Sequence, residues 1–171
     1  IARELMRRGA SVKVAMTQSA QRFVGALTFA GLTGEPPLVD LWDASQGGEA
    51  HVDLARWADL LLVAPATASV LARMTSGLAD DVVTATLLCA RGPVLVAPAM
   101  HTQMWEHAAT RENAARLSAR GIQFVGPENG ALASGEEGIG RMAEPEVVAA
   151  AAIAACTLRD LAGRTILVSA G

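Results

Sequence analysis

Leu60-Leu-Leu-Val-Ala-Pro-Ala-Thr-Ala-Ser69 decides the fold. Its first five residues are apolar without a polar interruption, as in a strand covered on both faces, and Pro65 with the small and hydroxylated residues after it marks a strand-to-helix turn. Four more apolar-rich, β-favouring runs recur along the chain: Val12 to Met16, Val94 to Ala97, Ile122 to Val125 and Thr165 to Ser169. Helix-compatible stretches lie between most of them. That alternation predicts βαβ units with right-handed crossovers and a parallel sheet carrying helices on both sides.

Between the strands, Ser19 to Leu32 reads as a helix with Phe23, Leu27 and Ala30 on its apolar positions. Gly34 to Ala50, rich in Pro, Gly and Asp, reads as a long loop. Ala68 to Met74 and Asp81 to Cys89 read as helices, with Gly77 as a stop and Asp80 as an N-cap. Thr110 to Arg120 is a surface helix closed by Gly121, and Glu144 to Cys156 is again helical. Gly126 to Gly140 holds five of the 16 glycines, too many for an ordinary connection and typical of a functional loop.

The 171 residues, 51% of them hydrophobic and 18% charged, suit one domain with a real core. A net charge of -3 with 14 scattered basic residues provides no footprint for nucleic acid or an anionic membrane surface. Leu60 to Ala66 and Val147 to Ala155 fall short of the roughly 20 residues a membrane-spanning helix needs. Two cysteines, Cys89 and Cys156, make neither a disulfide framework nor a zinc site, and they read as inert packing residues of a cytoplasmic protein. The opening Ile1 to Gly9 reads as the middle of a helix, with a segment before it missing.

Ligands of an open parallel sheet sit beyond the carboxyl ends of the strands. The residues there are Thr17-Gln-Ser19, Pro65-Ala-Thr-Ala-Ser69 and Pro98-Ala-Met-His-Thr-Gln-Met-Trp105. Small residues and hydroxyls at such turns let backbone amides approach a phosphate, although each of Thr17, Ser19, Thr67 and Ser69 is also an ordinary helix cap. Three such turns on one edge favour a nucleotide-like cofactor.

His51-Val-Asp-Leu-Ala-Arg-Trp-Ala-Asp, Ala64-Pro-Ala-Thr-Ala-Ser, Gly77-Leu-Ala-Asp-Asp, Pro98-Ala-Met-His-Thr-Gln-Met-Trp and Gly138-Ile-Gly-Arg-Met-Ala-Glu-Pro occur in that order. Together they resemble the flavin-dependent cysteine decarboxylases, most closely those acting on phosphopantothenoylcysteine in coenzyme A biosynthesis. The resemblance implies a Rossmann-like (flavodoxin-like) three-layer α/β/α fold, bound FMN and a homo-oligomer, a trimer or a dodecamer built from trimers. It implies a decarboxylase domain over residues 1–160 and, in residues 161–171, a linker and the first strand of a ligase domain. The strand and glycine-rich turn that precede the first helix in that family are absent from these 171 residues.

By the same resemblance, Thr17, Ser19 and Phe23 lie on the phosphate and ribityl side of the FMN. Thr67, Ala68, Ser69 and Val70 form the turn against the flavin, with Ser69 in place of the usual Asn or Asp. His51 is the active-site histidine. Ala99, Met100 and His101 hold the substrate carboxylate, with His101 in place of Asn, and Met104 and Trp105 complete that motif. Gly126 to Met142 is the substrate-clamping flap, bringing Gly135 and Arg141 to the substrate. The implied reaction is loss of the cysteine carboxylate from a thioaldehyde, followed by reduction of the enethiol that forms, with His51 exchanging the thiol proton.

The departure with the largest consequence is Ala133-Ser134-Gly135, where many relatives carry Ala-Cys-Gly. A serine hydroxyl is a poorer proton donor than a thiol, so Ser134 bears on the final reduction. Two alternatives therefore stand beside the coenzyme A reading: a peptidyl-cysteine oxidative decarboxylase releasing the enethiol, and a non-catalytic flavoprotein-like regulatory subunit. A flavin prenyltransferase lacks the Pro-Ala-Met-x-x-x-Met-Trp pattern. Read without the resemblance, His51 and His101 are helix-start residues, His107 is a surface residue, Met100, Met104 and Trp105 are core, and Arg141 is an exposed loop charge.

Overall fold

The computed structural model describes residues 1–43, 48–131 and 135–156. In chain order it contains α1 (Ala2–Arg7), a 3-10 turn (Ala20–Arg22), α2 (Ala26–Thr33), α3 (Ala50–Trp57), β1 (Leu61–Ala66), α4 (Ala68–Ser76) and α5 (Val82–Leu88). There follow β2 (Val94–Pro98), α6 (Thr102–Glu106), α7 (Ala108–Ala119), β3 (Gln123–Phe124), β4 (Glu128–Ala131), β5 (Glu137–Arg141) and α8 (Pro145–Cys156). β1, β2 and β3 pair in that order as a parallel sheet, and β4 and β5 form a separate antiparallel hairpin.

Side-chain alternation along the strands assigns the two faces of the sheet. Val63 and Val96 pack with Leu71 of α4, Trp105 of α6 and Leu117 of α7. Their strand neighbours Leu62, Ala64 and Ala97 belong to the opposite core, with Val148 of α8 and with Ala143 just before that helix. α4 packs on α7 and α1 on α8, giving the three-layer flavodoxin-like arrangement expected from the continuous apolar runs. β2 is buried along its whole length, which explains why its sequence shows no polar alternation. Among the described residues no helix is long and apolar enough to cross a membrane.

Several local expectations are revised. Val12 to Met16 is extended but joins no strand of the described sheet, because its hydrogen bonds go to Leu38: Met16 N–H donates to Leu38 and Leu38 N–H to Val14, both at 2.8 Å. The single helix expected over Ser19 to Leu32 divides at Gly25, whose extended backbone starts α2, as befits the residue with the weakest hold on helical geometry after proline. The helix expected from Thr110 starts two residues earlier, at Ala108, because the His107 imidazole accepts the Ala109 amide at 3.2 Å. Within the glycine-rich stretch the chain forms the β4–β5 hairpin. Ser134 and residues 161–171, with the strand expected at Thr165 to Ser169, lie outside the described residues.

The N-cap of α5 is Asp81 and not Asp80. The Asp81 carboxylate accepts the Val83 and Thr84 amides at 2.9 and 2.8 Å, and the Asp81 amide in turn donates to the Thr84 hydroxyl oxygen at 3.4 Å. Asp80 only shares Arg73 with it, at 3.0 Å on the surface. Asp81→Ala is therefore expected to lower stability by about 1–2 kcal/mol, against about 0.5 kcal/mol or less for Asp80→Ala, in parallel urea titrations. Equal losses from the two variants contradict the capping assignment.

Candidate active site at the carboxyl edge of the sheet

β1 and β2 end level with each other. Ala66 is in register with Pro98, and the Ala99 amide donates to the Ala66 carbonyl at 3.0 Å. The turns Thr67-Ala-Ser-Val70 and Ala99-Met-His101 therefore emerge side by side at the edge where parallel sheets hold their ligands. Thr67 caps α4, accepting the Val70 amide at 3.4 Å. Helical geometry leaves the first-turn amides of Ala68 and Ser69 without intrahelical partners, and the Thr67 and Ser69 side chains are exposed beside them. Val70 instead packs toward the Val63 and Leu71 core.

His101 caps α6, its Nδ1 accepting the Gln103 amide at 3.3 Å. That bond requires Nδ1 to be unprotonated, so Nε2 carries the proton and donates it to Glu136 at 2.7 Å. A second link joins the same turn to the hairpin, from the Met100 amide to the Gly140 carbonyl at 2.9 Å. Two glycines permit this approach. A Cβ on Gly138 would lie 2.2 Å from the Thr102 hydroxyl oxygen, and one on Gly140 would lie 2.1 Å from the Met100 carbonyl oxygen. The Thr102 hydroxyl and the Trp105 indole N–H are buried without a partner among the described residues.

The structure thus gathers Thr67, Ala68, Ser69, Ala99, Met100, His101 and the start of β5 at one edge. Met100 is half-buried against the Val96 core, and Met104 is half exposed on α6. Gly135 is exposed with a left-handed backbone, φ +84°, a conformation for which glycine is suited. Arg141 lies across Gly130 and pairs with Glu144. His51 sits in the first turn of α3, which leads into β1 through three residues, so its end of the helix is directed toward the carboxyl edge. It is half-buried, and its side chain makes no hydrogen bond or ion pair with the described residues.

Thr17, Ser19 and Phe23 are not joined to this group by any hydrogen bond among the described residues. Thr17 caps the 3-10 turn through the Ala20 amide at 3.1 Å, Ser19 is exposed, and Phe23 is 90% exposed. The cysteines stay outside the site. Cys89 is half-buried, and Cys156, expected to pack, is exposed at the end of α8. Its thiol is raised above the ordinary value by desolvation first and the Asp59 carboxylate second, so it holds its proton at neutral pH. Glu136 is the site residue that sequence reading passes over. Its one signal is an acidic side chain directly after Gly135, and nothing in the sequence joins it to a histidine 35 residues earlier.

The family model described as Flavoprotein matches residues 1–157. The chain is similar to the coenzyme A biosynthesis bifunctional protein CoaBC of Mycobacterium bovis, 47% identical over 176 residues that take in 100% of this chain and 42% of that protein. It therefore spans less than half the length of such curated relatives. Among solved structures it is similar to a PPC decarboxylase mutant complexed with pantothenoylaminoethenethiol, at 30% identity and a TM-score of 0.76, covering 88% of this chain and 85% of that one. It is also similar to the FMN-dependent cysteine decarboxylase SpaF, at 33% identity and a TM-score of 0.73, covering 90% and 87%.

The backbone approach at Gly140 is open to test. Gly140→Ala is expected to cost about 1–3 kcal/mol, because the added methyl cannot share space with the Met100 carbonyl. Gly121→Ala, at another positive φ but with open space around its Cβ, isolates the backbone contribution. A Gly140→Ala loss no larger than that of Gly121→Ala, in matched thermal denaturation, contradicts the close contact.

Proposed function

The chain belongs to the flavoprotein family, and we propose that it is an FMN-dependent cysteine decarboxylase converting phosphopantothenoylcysteine to phosphopantetheine, a cytoplasmic step of coenzyme A biosynthesis. The observation that carries this reading is the meeting of the Thr67 and Ala99 turns with the β5 hairpin at one sheet edge. The bifunctional relatives and the PPC decarboxylase neighbour support it.

The donor set suits a phosphate-bearing flavin. Free first-turn amides at Ala68 and Ser69 and the hydroxyls of Thr17, Ser19, Thr67 and Ser69 would hold it, with Phe23 as an apolar contact and Val70, packed on the core, fixing the turn beneath. When bound, FMN supplies reversible two-electron chemistry at the substrate cysteine. His51 takes and returns the thiol proton, a task suited to an imidazole near neutral pH. His101 presents its Nε2–H to the substrate carboxylate, on a turn lined by Ala99 and Met100, with Met104 as a wall. Gly135 allows close approach from the hairpin side. Arg141 takes the substrate phosphate, since its exposed pair with Glu144 is worth about 1 kcal/mol or less and yields to a stronger anion. Ser134, in place of the relatives' thiol, leaves the return of the last proton to another donor.

Anaerobic incubation of the FMN-loaded protein with phosphopantothenoylcysteine, followed by product mass, tests the reading. Loss of carbon dioxide alone is expected. Loss of carbon dioxide together with two hydrogens, with reduced flavin accumulating, identifies an oxidative decarboxylase stopped at the enethiol, the alternative that Ser134 supports. Absence of reaction rejects both and favours the regulatory subunit.

The assembly belongs to the same proposal. Phe23 and Leu27, 90% and 88% exposed, form an apolar surface between the 3-10 turn and α2, and neither α1 nor α2 buries a residue in the isolated chain. Covering such side chains is worth about 1.5–3 kcal/mol each, and a homo-oligomer, a trimer or dodecamer, does so. Leu27→Glu is expected to shift the protein toward monomer in light scattering. A wild-type monomer at the same concentration rejects the oligomer.

A further inference from the structure

The decarboxylase reading assigns the substrate carboxylate to His101, yet the only N–H of that ring is already given to a carboxylate. Nδ1 accepts the Gln103 amide at 3.3 Å, and Nε2 lies 2.7 Å from Glu136 Oε2. A ring held in this tautomer has one proton to donate. Glu136 and an incoming carboxylate compete for it, since one N–H makes one strong, well-aligned bond.

We propose that Glu136 is an internal carboxylate standing where the substrate carboxylate is to bind, and that it sets the affinity for carboxylate-bearing substrates by competing with them for His101. The proposal rests on the decarboxylase reading of the site. Two observations support exchange of one carboxylate for the other. The pair is open to water, the side chains being 31% and 66% exposed for His101 and Glu136, so the displaced carboxylate is solvated at once and the pair itself is weak. The hairpin is held separately by the Met100 to Gly140 bond and by Gly138 against Thr102, so Glu136 can turn away while β5 stays docked. In the meantime the pair keeps the proton on Nε2 and the ring aligned, so the donor is set before the substrate arrives. Glu136 is in this sense a specificity-determining residue acting through His101.

The test is Glu136→Gln in the FMN-loaded protein, which keeps the shape and replaces the anion by a neutral acceptor. KM for phosphopantothenoylcysteine is expected to fall about three- to fivefold, with kcat within about twofold of wild type. Affinity for phosphopantetheine, which lacks the carboxylate, stays the same. In a His101→Ala background the same substitution leaves KM unmoved. The 15N resonance of the His101 imidazole, assigned by its loss in His101→Ala, shifts in Glu136→Gln. A KM that rises or stays constant overturns the proposal, as does a decrease that persists without His101 or a His101 resonance indifferent to Glu136. Wild-type protein that fails to turn over the compound overturns the decarboxylase reading and this proposal with it. Wild-type turnover with KM unmoved by Glu136→Gln overturns the proposal alone.

Discussion

The parallel pairing of β1 with β2 is the constraint from which the rest of the site follows. β2 is buried throughout, so its amides and carbonyls find partners only along its two flanks, β1 on one side and β3 on the other. Prolines then determine where pairing stops. Pro65 has no amide to donate and stands inside the register shift between Val63 and Ala66, and Pro98 closes β2 opposite Ala66. Two strands that end at the same height, Ala66 opposite Pro98, send out their turns side by side, and this adjacency puts Thr67 and His101 in one neighbourhood.

The hairpin is fitted to that edge by absence of side chains. Gly138 and Gly140 are spaced two apart on β5, so both face the same way, toward Thr102 and Met100. Any Cβ there meets an atom at little over 2 Å. The hairpin therefore docks through its own backbone, against the Met100 backbone and the Thr102 side chain, a geometry with fewer rotamers to fix than an interface of two sets of side chains. The burial of the Thr102 hydroxyl beneath it, without a partner among the described residues, is a cost of this closeness.

Much of this was legible in the sequence, for identifiable reasons. The buried strands announce themselves as Leu60 to Ala64 and Val94 to Ala97, because a strand with two covered faces cannot carry polar alternation. The turns are marked by proline followed by hydroxyls and alanines. What escaped was decided by partners distant in sequence. Val12 to Met16 has strand composition, yet its bonds go to Leu38, a loop residue by every local signal. Asp80 and Asp81 are equivalent as letters, and only backbone direction at the start of α5 selects the second. His107, read as a plain surface residue, caps α7 by the same Nδ1 arrangement that His101 uses on α6. The His101 to Glu136 pair spans 35 residues across two elements whose docking no local pattern encodes.

The anion-binding donors of this edge come already matched. His101 faces Glu136, and Arg141 faces Glu144, both pairs exposed. On the decarboxylase reading this arrangement sorts ligands. A small monovalent anion gains little, because it only takes the place of an exposed carboxylate of about equal worth. A ligand with a carboxylate at one end and a phosphate at the other, anchored along its length, offers its second anion at high effective concentration once the first has bound. Two weak internal pairs thus favour a doubly anionic substrate over the many singly charged acids of a cell. The discrimination comes from what must be displaced as much as from what is gained.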